Sequence, residues 1–178
     1  MSNPHVEKLK KLMPPLSPAP ESSVNWQMAE EVFGISFPSD FREIVSTYGN
    51  VIWCDLFRPI YPNTEALAAC EKSKGRVLDI LSSMYGSKLY NREGKVVKIP
   101  PYPNTEGLFP CLIDTNSDVV CWWTRGSPDQ WTTVFFQEGN LFFFPFNVTQ
   151  LICDWIEQIP PASEVWGRPD RAKFGIMY

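Results

Sequence analysis

The stretch WQMAEEVFGISFPSDFREIVSTYG, Trp26 to Gly49, restricts the fold more than any other part of this chain. Trp26, Ala29, Val32 and Phe33 fall three and four residues apart, which places them on one face of a helix. Gly34 follows where a left-handed C-cap costs least. Pro38 suits the opening of a second helix, because the first-turn amides have no intrahelical partner. There Phe41, Ile44, Val45 and Tyr48 repeat the same spacing before Gly49. Two short amphipathic helices are predicted, joined by an extended link over Ile35 to Phe37 and packed as a corner.

Beyond the corner, Val51 to Phe57 reads as a strand. Asn63 and Thr64 are good N-cap types, so a helix is expected from there to about Ser73. A further helix carries Val77, Leu81 and Met84, with Gly75 bending or dividing the two. Leu89 to Ile99 reads as a hairpin around Arg92-Glu93-Gly94. Cys111 to Ile113 and Val119 to Trp123 flank a turn rich in Asp, Thr, Asn and Ser. Thr132 to Gln137 and Leu141 to Phe146 flank Glu138-Gly139-Asn140, read as a three-residue hairpin loop. Asn147 caps a closing helix, Val148 to Ile159. Helices followed by consecutive strands indicate an α+β fold, with an antiparallel, largely consecutive sheet of about six strands between N-terminal helices and a C-terminal one.

A single domain is expected over residues 21–159, with 160–178 a tail packing on it and Trp166 over the sheet. Residues 1–20 read as an N-terminal arm, in which PPLSPAP is an extended tether. Val6, Leu9, Leu12 and Met13 share one side of a short helical pattern. A mobile arm is the plain reading, and an accessory helix docked on the domain is the alternative.

Composition narrows the chemistry. With 178 residues, 44% of them hydrophobic, the chain can bury a substantial core. A net charge of −4 argues against nucleic acid, whose phosphates need clustered Lys and Arg. Cys54, Cys70, Cys111, Cys121 and Cys153 are odd in number and show no C-x-x-C spacing, so reduced, buried thiols are expected. No apolar run reaches the length of a membrane span or signal peptide, which makes the cytoplasm the expected location.

The one histidine, His5, lies in the arm, so nucleophile–histidine arrangements lack a base. No glycine-rich phosphate loop and no metal-ligand spacing occurs, and no cofactor is expected. Asp114, Asn116 and Asp118 match the first ligands of a calcium loop, yet Val119 and Arg125 stand where its glycine and bidentate glutamate belong. That segment therefore reads as a turn. Trp122-Trp123 and Phe142 to Phe144 alternate faces if they lie in strands. They are expected as core if both sheet faces are covered, and as a partner site if one is not.

The order of short motifs carries more. Glu30 on an apolar helix is followed by G-x-x-F-P-x-D-F-R-E-I from Gly34 to Ile44, then Tyr48-Gly49. Leu108-Phe109-Pro110, Asp114 to Asp118, Trp122, Pro128-Asp129-Gln130-Trp131, Phe144 and Phe146 come next. This succession resembles the SUKH domains of bacterial immunity proteins and fungal cell-wall regulators. It departs at Ser117, where related sequences often place a glycine.

The resemblance implies a non-catalytic, protein-binding domain that neutralises a cognate toxin, often a nuclease. A basic toxin domain would suit the acidic chain, itself a monomer or weak homodimer. Contact residues expected from the polar loops are Arg58, Tyr61, Glu65, Tyr102, Glu106, Asp114, Asp118, Arg125 and Asp129. A regulatory scaffold of the fungal type and a carbohydrate-active enzyme with paired carboxylates are the alternatives. Tyr61-Pro62-Asn63-Thr64-Glu65 recurs as Tyr102-Pro103-Asn104-Thr105-Glu106, either through shared turn chemistry or as two loops on one binding rim.

Overall fold

In the computed structural model, which describes residues 3–15, 24–49, 51–60, 67–86, 88–100, 102, 104, 106–169 and 175–176, helix α1 (Pro4–Leu12) opens the chain. The Asn3 side chain caps it by accepting from the His5 amide at 2.9 Å. Val6, Leu9 and Met13 are buried, and the helix lies along α5 (Val148–Glu157). Tyr48 Oη donates to the Met13 carbonyl at 2.9 Å, and Lys8 pairs with Glu157. The N-terminal segment is thus a docked helix and not a mobile arm. Its apolar side helps to cover α5, which is buried at every position from Val148 to Ile156 except Gln150.

The predicted corner is present as α2 (Trp26–Phe33) and α3 (Ser39–Tyr48). Gly34 takes φ 70° and ends α2 with a left-handed cap, as its position predicts. The link between the helices is braced from both sides. Glu30 Oε1 accepts from the Phe37 amide at 3.2 Å, Arg42 Nε donates to the Phe37 carbonyl at 3.1 Å, and Glu30 and Arg42 pair with each other.

Helix α4 (Leu67–Tyr85) runs unbroken through Gly75, where two helices or a bend were expected. One exposed glycine costs a helix about 1 kcal/mol relative to alanine. Burial of Cys70, Val77, Leu81 and Met84 along one side outweighs that. The expected start at Asn63-Thr64 lies outside the described residues. The Val51–Phe57 strand shrinks to β1 (Val51–Ile52), because Cys54 and Asp55 turn the chain at φ 50° and 59°.

The main sheet comprises β2 (Arg58–Pro59), β3 (Leu89–Asn91), β4 (Val96–Val97), β5 (Leu108–Ile113), β6 (Val119–Trp123), β7 (Thr132–Gln137) and β8 (Asn140–Phe144). Their order is β2-β5-β6-β7-β8-β3-β4, and β1 pairs separately with β9 (Gly175–Ile176). This α+β sheet has seven strands where about six were expected, and it is mostly antiparallel, with β3 and β8 as a parallel pair among the described strands. The hairpin β3–β4 precedes β5 in the chain but docks beyond β8, so β3 and β8 run parallel. Its place is explained by the other edge, where β2 and α4 already cover β5.

The β7–β8 loop is also shorter than expected. Gln137 pairs with Asn140, leaving Glu138 and Gly139 as a two-residue turn at φ 48° and 85°. Positive φ at both positions matches the twist of the flanking strands.

In the β5–β6 turn, Ser117 stands at φ 73°, a conformation that crowds any Cβ. Ser117→Gly is expected to stabilise the protein by about 1 kcal/mol, raising Tm by about 2–4 °C. A scanning calorimetry trace with Tm unchanged or lowered would contradict this.

Candidate interaction surface

Alternation along β6 and β7 sorts the aromatics by face. Trp122, opposite Thr133, turns toward the helical corner, with ring centroids 4.7 Å from Phe41, 5.9 Å from Phe109 and 5.9 Å from Trp131. Phe135 shares that face and meets Trp166 at 4.5 Å, so the tail helps to cover the sheet as expected. Trp123 and Phe143 lie on the opposite face, where cover is incomplete. Phe143 is 38% exposed and Trp123 is half-buried, their ring centroids 5.4 Å apart across β7. The tryptophan pair is therefore split: one ring is core and the other is surface.

Trp123 is held in place. Its Nε1 donates to the Glu106 carbonyl at 2.9 Å, and the Arg125 guanidinium sits 4.7 Å above the ring. Glu106 approaches Arg125 Nε at 3.5 Å. Such tethering reduces the entropy that a partner's contact would otherwise cost. Two hollows flank the pair. One, of about 470 Å³, is bounded by Asn91, Arg92, Val97, Phe142, Pro161 and Val165. The other, of about 340 Å³, is bounded by Arg125, Gln130, Thr132 and Pro145. Trp123, Phe143 and Phe144 line both, so the hollows form one trough.

Among the expected contact residues that are described, only Arg125 lines this trough, and Glu106 adjoins it through Trp123 and Arg125. Arg58 lines a smaller hollow beside Asp114, Thr115 and Ser117, at the far end of the β5–β6 hairpin. The two ends lie roughly 17 Å apart at about 3.4 Å per residue. Asp114 is buried, and its Oδ1 accepts from the amides of Asn116 and Asp118 at 2.8 and 2.9 Å. Burial raises its pKa against those bonds. Asp118 accepts from Gln137 Nε2 at 2.7 Å. Tyr102 donates to the Phe33 carbonyl and packs 4.8 Å from Phe109. Tyr61 and Glu65 lie outside the described residues, as does the first copy of the repeated pentapeptide.

Asp129 has a structural task that sequence reasoning missed. Pro38 has no side-chain acceptor for the start of α3, and Asp129 Oδ1 supplies one, accepting from the Ser39 amide at 2.6 Å. Asp40 does the same for α5: its Oδ2 accepts from Thr149 Oγ1 at 2.7 Å and from the Thr149 amide at 3.3 Å. Burial pushes the Asp40 carboxyl above its ordinary value, and the Thr149 bonds oppose the shift. The two carboxylates thus clamp the first turns of two helices.

The five cysteines are buried and none is in a disulfide, with burial raising the Cys111 and Cys121 thiols. Among the described residues no cluster of three or more His, Cys, Asp or Glu is arranged to hold a metal, and no helix is long and apolar enough to cross a membrane. Phe143, Val97 and Arg92 were absent from the expected contact set. The signal for Phe143 was the run Phe142 to Phe144, one member of which has to face away from a one-sided core. No family model, curated protein or solved structure matches the chain.

Proposed function

We propose that this chain is a non-catalytic, protein-binding domain of SUKH type that acts as an immunity protein, neutralising a cognate toxin by covering its working surface. The observation that carries the reading is the half-exposed pair Trp123 and Phe143, tethered beside a trough on the sheet face. Exposed aromatics next to an arginine are the chemistry of interface hot spots. The carboxylates that burial perturbs, Asp40 and Asp114, are engaged with a helix terminus and a turn, which favours a structural role for each. The net charge of −4 would speed encounter with a basic toxin domain, while the trough supplies the contact.

The test is co-expression with the toxin domain encoded by the adjacent reading frame. The wild-type chain should restore growth. Trp123→Ala combined with Phe143→Ala should keep the fold by circular dichroism and weaken toxin binding by about 100-fold or more. Undiminished protection by the double variant would move the site elsewhere, and a wild-type chain that neither binds nor protects would refute the immunity reading.

A further inference from the structure

Strand β8 is internal for part of its length and an edge for the rest. It pairs with β7 from Asn140 to Phe144, whereas β3 accompanies it only at Asn140 and Leu141. At Asn91 the chain turns back, with the Asn91 amide donating to the Lys95 carbonyl at 2.9 Å. Among the described residues, from Phe142 to Phe144 no strand lies on the side of β8 away from β7. The two-residue β7–β8 turn makes Gln137 and Asn140 a hydrogen-bonded pair, so the main chain of Asn140, Phe142 and Phe144 faces β7. The Gly139 carbonyl accordingly faces β3, accepting from the Tyr90 amide at 2.8 Å. By the same alternation the amide and carbonyl of Phe143 face the open edge.

That edge opens into the hollow of about 470 Å³. Phe142 and Phe143 lie on opposite faces of the sheet, and the hollow is lined from both sides of β8. Trp123 and Val97 line it with Phe143, while Pro161 and Val165 belong to the tail beyond α5. An extended backbone entering here meets main-chain partners in the plane of the sheet and apolar walls above and below. The neighbouring charge differs from that of the whole chain. Across the β3–β4 hairpin, exposed Lys88, Lys95 and Lys98 outnumber the single acid Glu93, while Arg92 is paired with Glu164 at 2.8 Å, although the chain is acidic overall.

We propose that this slot takes an extended segment of a partner protein, added as a strand beside β8 at Phe142 to Phe144, apolar at its centre and acidic at its end near the hairpin. The proposal rests on the protein-binding reading above and specifies how the contact is made. Net charge governs approach over long range, and the basic hairpin sets the register of the bound segment. A second copy of this chain fits less well, because edge-to-edge pairing would bring another basic hairpin to the same edge.

Fluorescence anisotropy with labelled eight-residue peptides tests this. One peptide has Val-Phe-Val at its centre and aspartates at its ends, a second has lysines at its ends, and two more carry an N-methyl group on adjacent central residues. The aspartate-ended peptide should bind saturably and at least about tenfold more tightly than the lysine-ended one. N-methylation should abolish binding at one of the two adjacent residues and spare it at the other, the mark of strand pairing. Combining Lys95→Glu with Lys98→Glu should reverse the charge preference.

No saturable binding, equal effects of the two methyl groups, or a preference for lysine in the wild type would each overturn the proposal. Dimerisation abolished by Phe143→Lys would assign the slot to a second copy and overturn it as well. Failed peptides alongside a toxin interaction lost in the Trp123 and Phe143 double variant would remove only the strand addition. The protein-binding surface would then stand.

Discussion

Replacing Trp122 with alanine is expected to cost about 3–5 kcal/mol of folding stability, while the same change at adjacent Trp123 costs about 1. Trp122 is 1% exposed and sits among Phe37, Phe41, Phe109 and Trp131, so its removal opens a cavity where the sheet meets the helical corner. Trp123 gives up one hydrogen bond and a partly solvated contact with Arg125. Folded domains are stable by only about 5–15 kcal/mol, so the first change approaches the threshold of unfolding. Trp122→Phe should be milder than alanine, because the Trp122 Nε1 is buried without a hydrogen-bond partner and its removal strands no acceptor. Urea midpoints for the three variants decide the matter. Equal losses at the two tryptophans would contradict the assignment of one to each face.

The second large effect is expected at Leu9, where alanine should cost about 2–5 kcal/mol. A mobile arm would show no loss at all. Leu9 is 1% exposed, Val6 is fully buried, and both belong to the main core together with residues of α5. Cys153 on that helix donates weakly to the His5 carbonyl at 3.4 Å, and Lys8 reaches Asp154 and Glu157. The thiol bond is weak and the Lys8 pairs are partly solvated at the lysine, so packing carries the effect. Chemical denaturation of Leu9→Ala beside the exposed control Lys11→Ala separates the two accounts. A midpoint shared by both variants would restore the mobile arm.

What the sequence made legible was local. Helical spacing and Gly34 located the corner, and turn chemistry located the turns of the β5–β6 and β7–β8 hairpins to within a residue. The strands themselves differ more, since β5 starts at Leu108 and not Cys111 and β8 stops at Phe144 and not Phe146. The loop after Gln137 was misjudged by one residue, because Glu138 adopts a positive φ that glutamate rarely takes. The α1 pattern was visible, yet PPLSPAP argued for a tether, and only the burial of α5 on nearly every side reveals why the helix docks. Long-range pairings were opaque. Asp129 meets Ser39 across 90 residues and Asp40 meets Thr149 across 109, distances at which spacing says nothing about contact. The interaction surface was half legible. Alternation required Trp122 and Trp123 to part, but which face the helices and tail would cover was a matter of tertiary packing.

The clasp of Asp129 on Ser39 has a further consequence for the order of assembly. The helical corner is synthesised early and its turns form quickly, yet its second helix lacks a terminal acceptor until the β6–β7 connection arrives from much later in the chain. The corner should therefore fray at Ser39 in any early collapsed state and harden only when the sheet closes over it. Amide exchange at that position should record the completion of the whole domain, whatever the age of the helix.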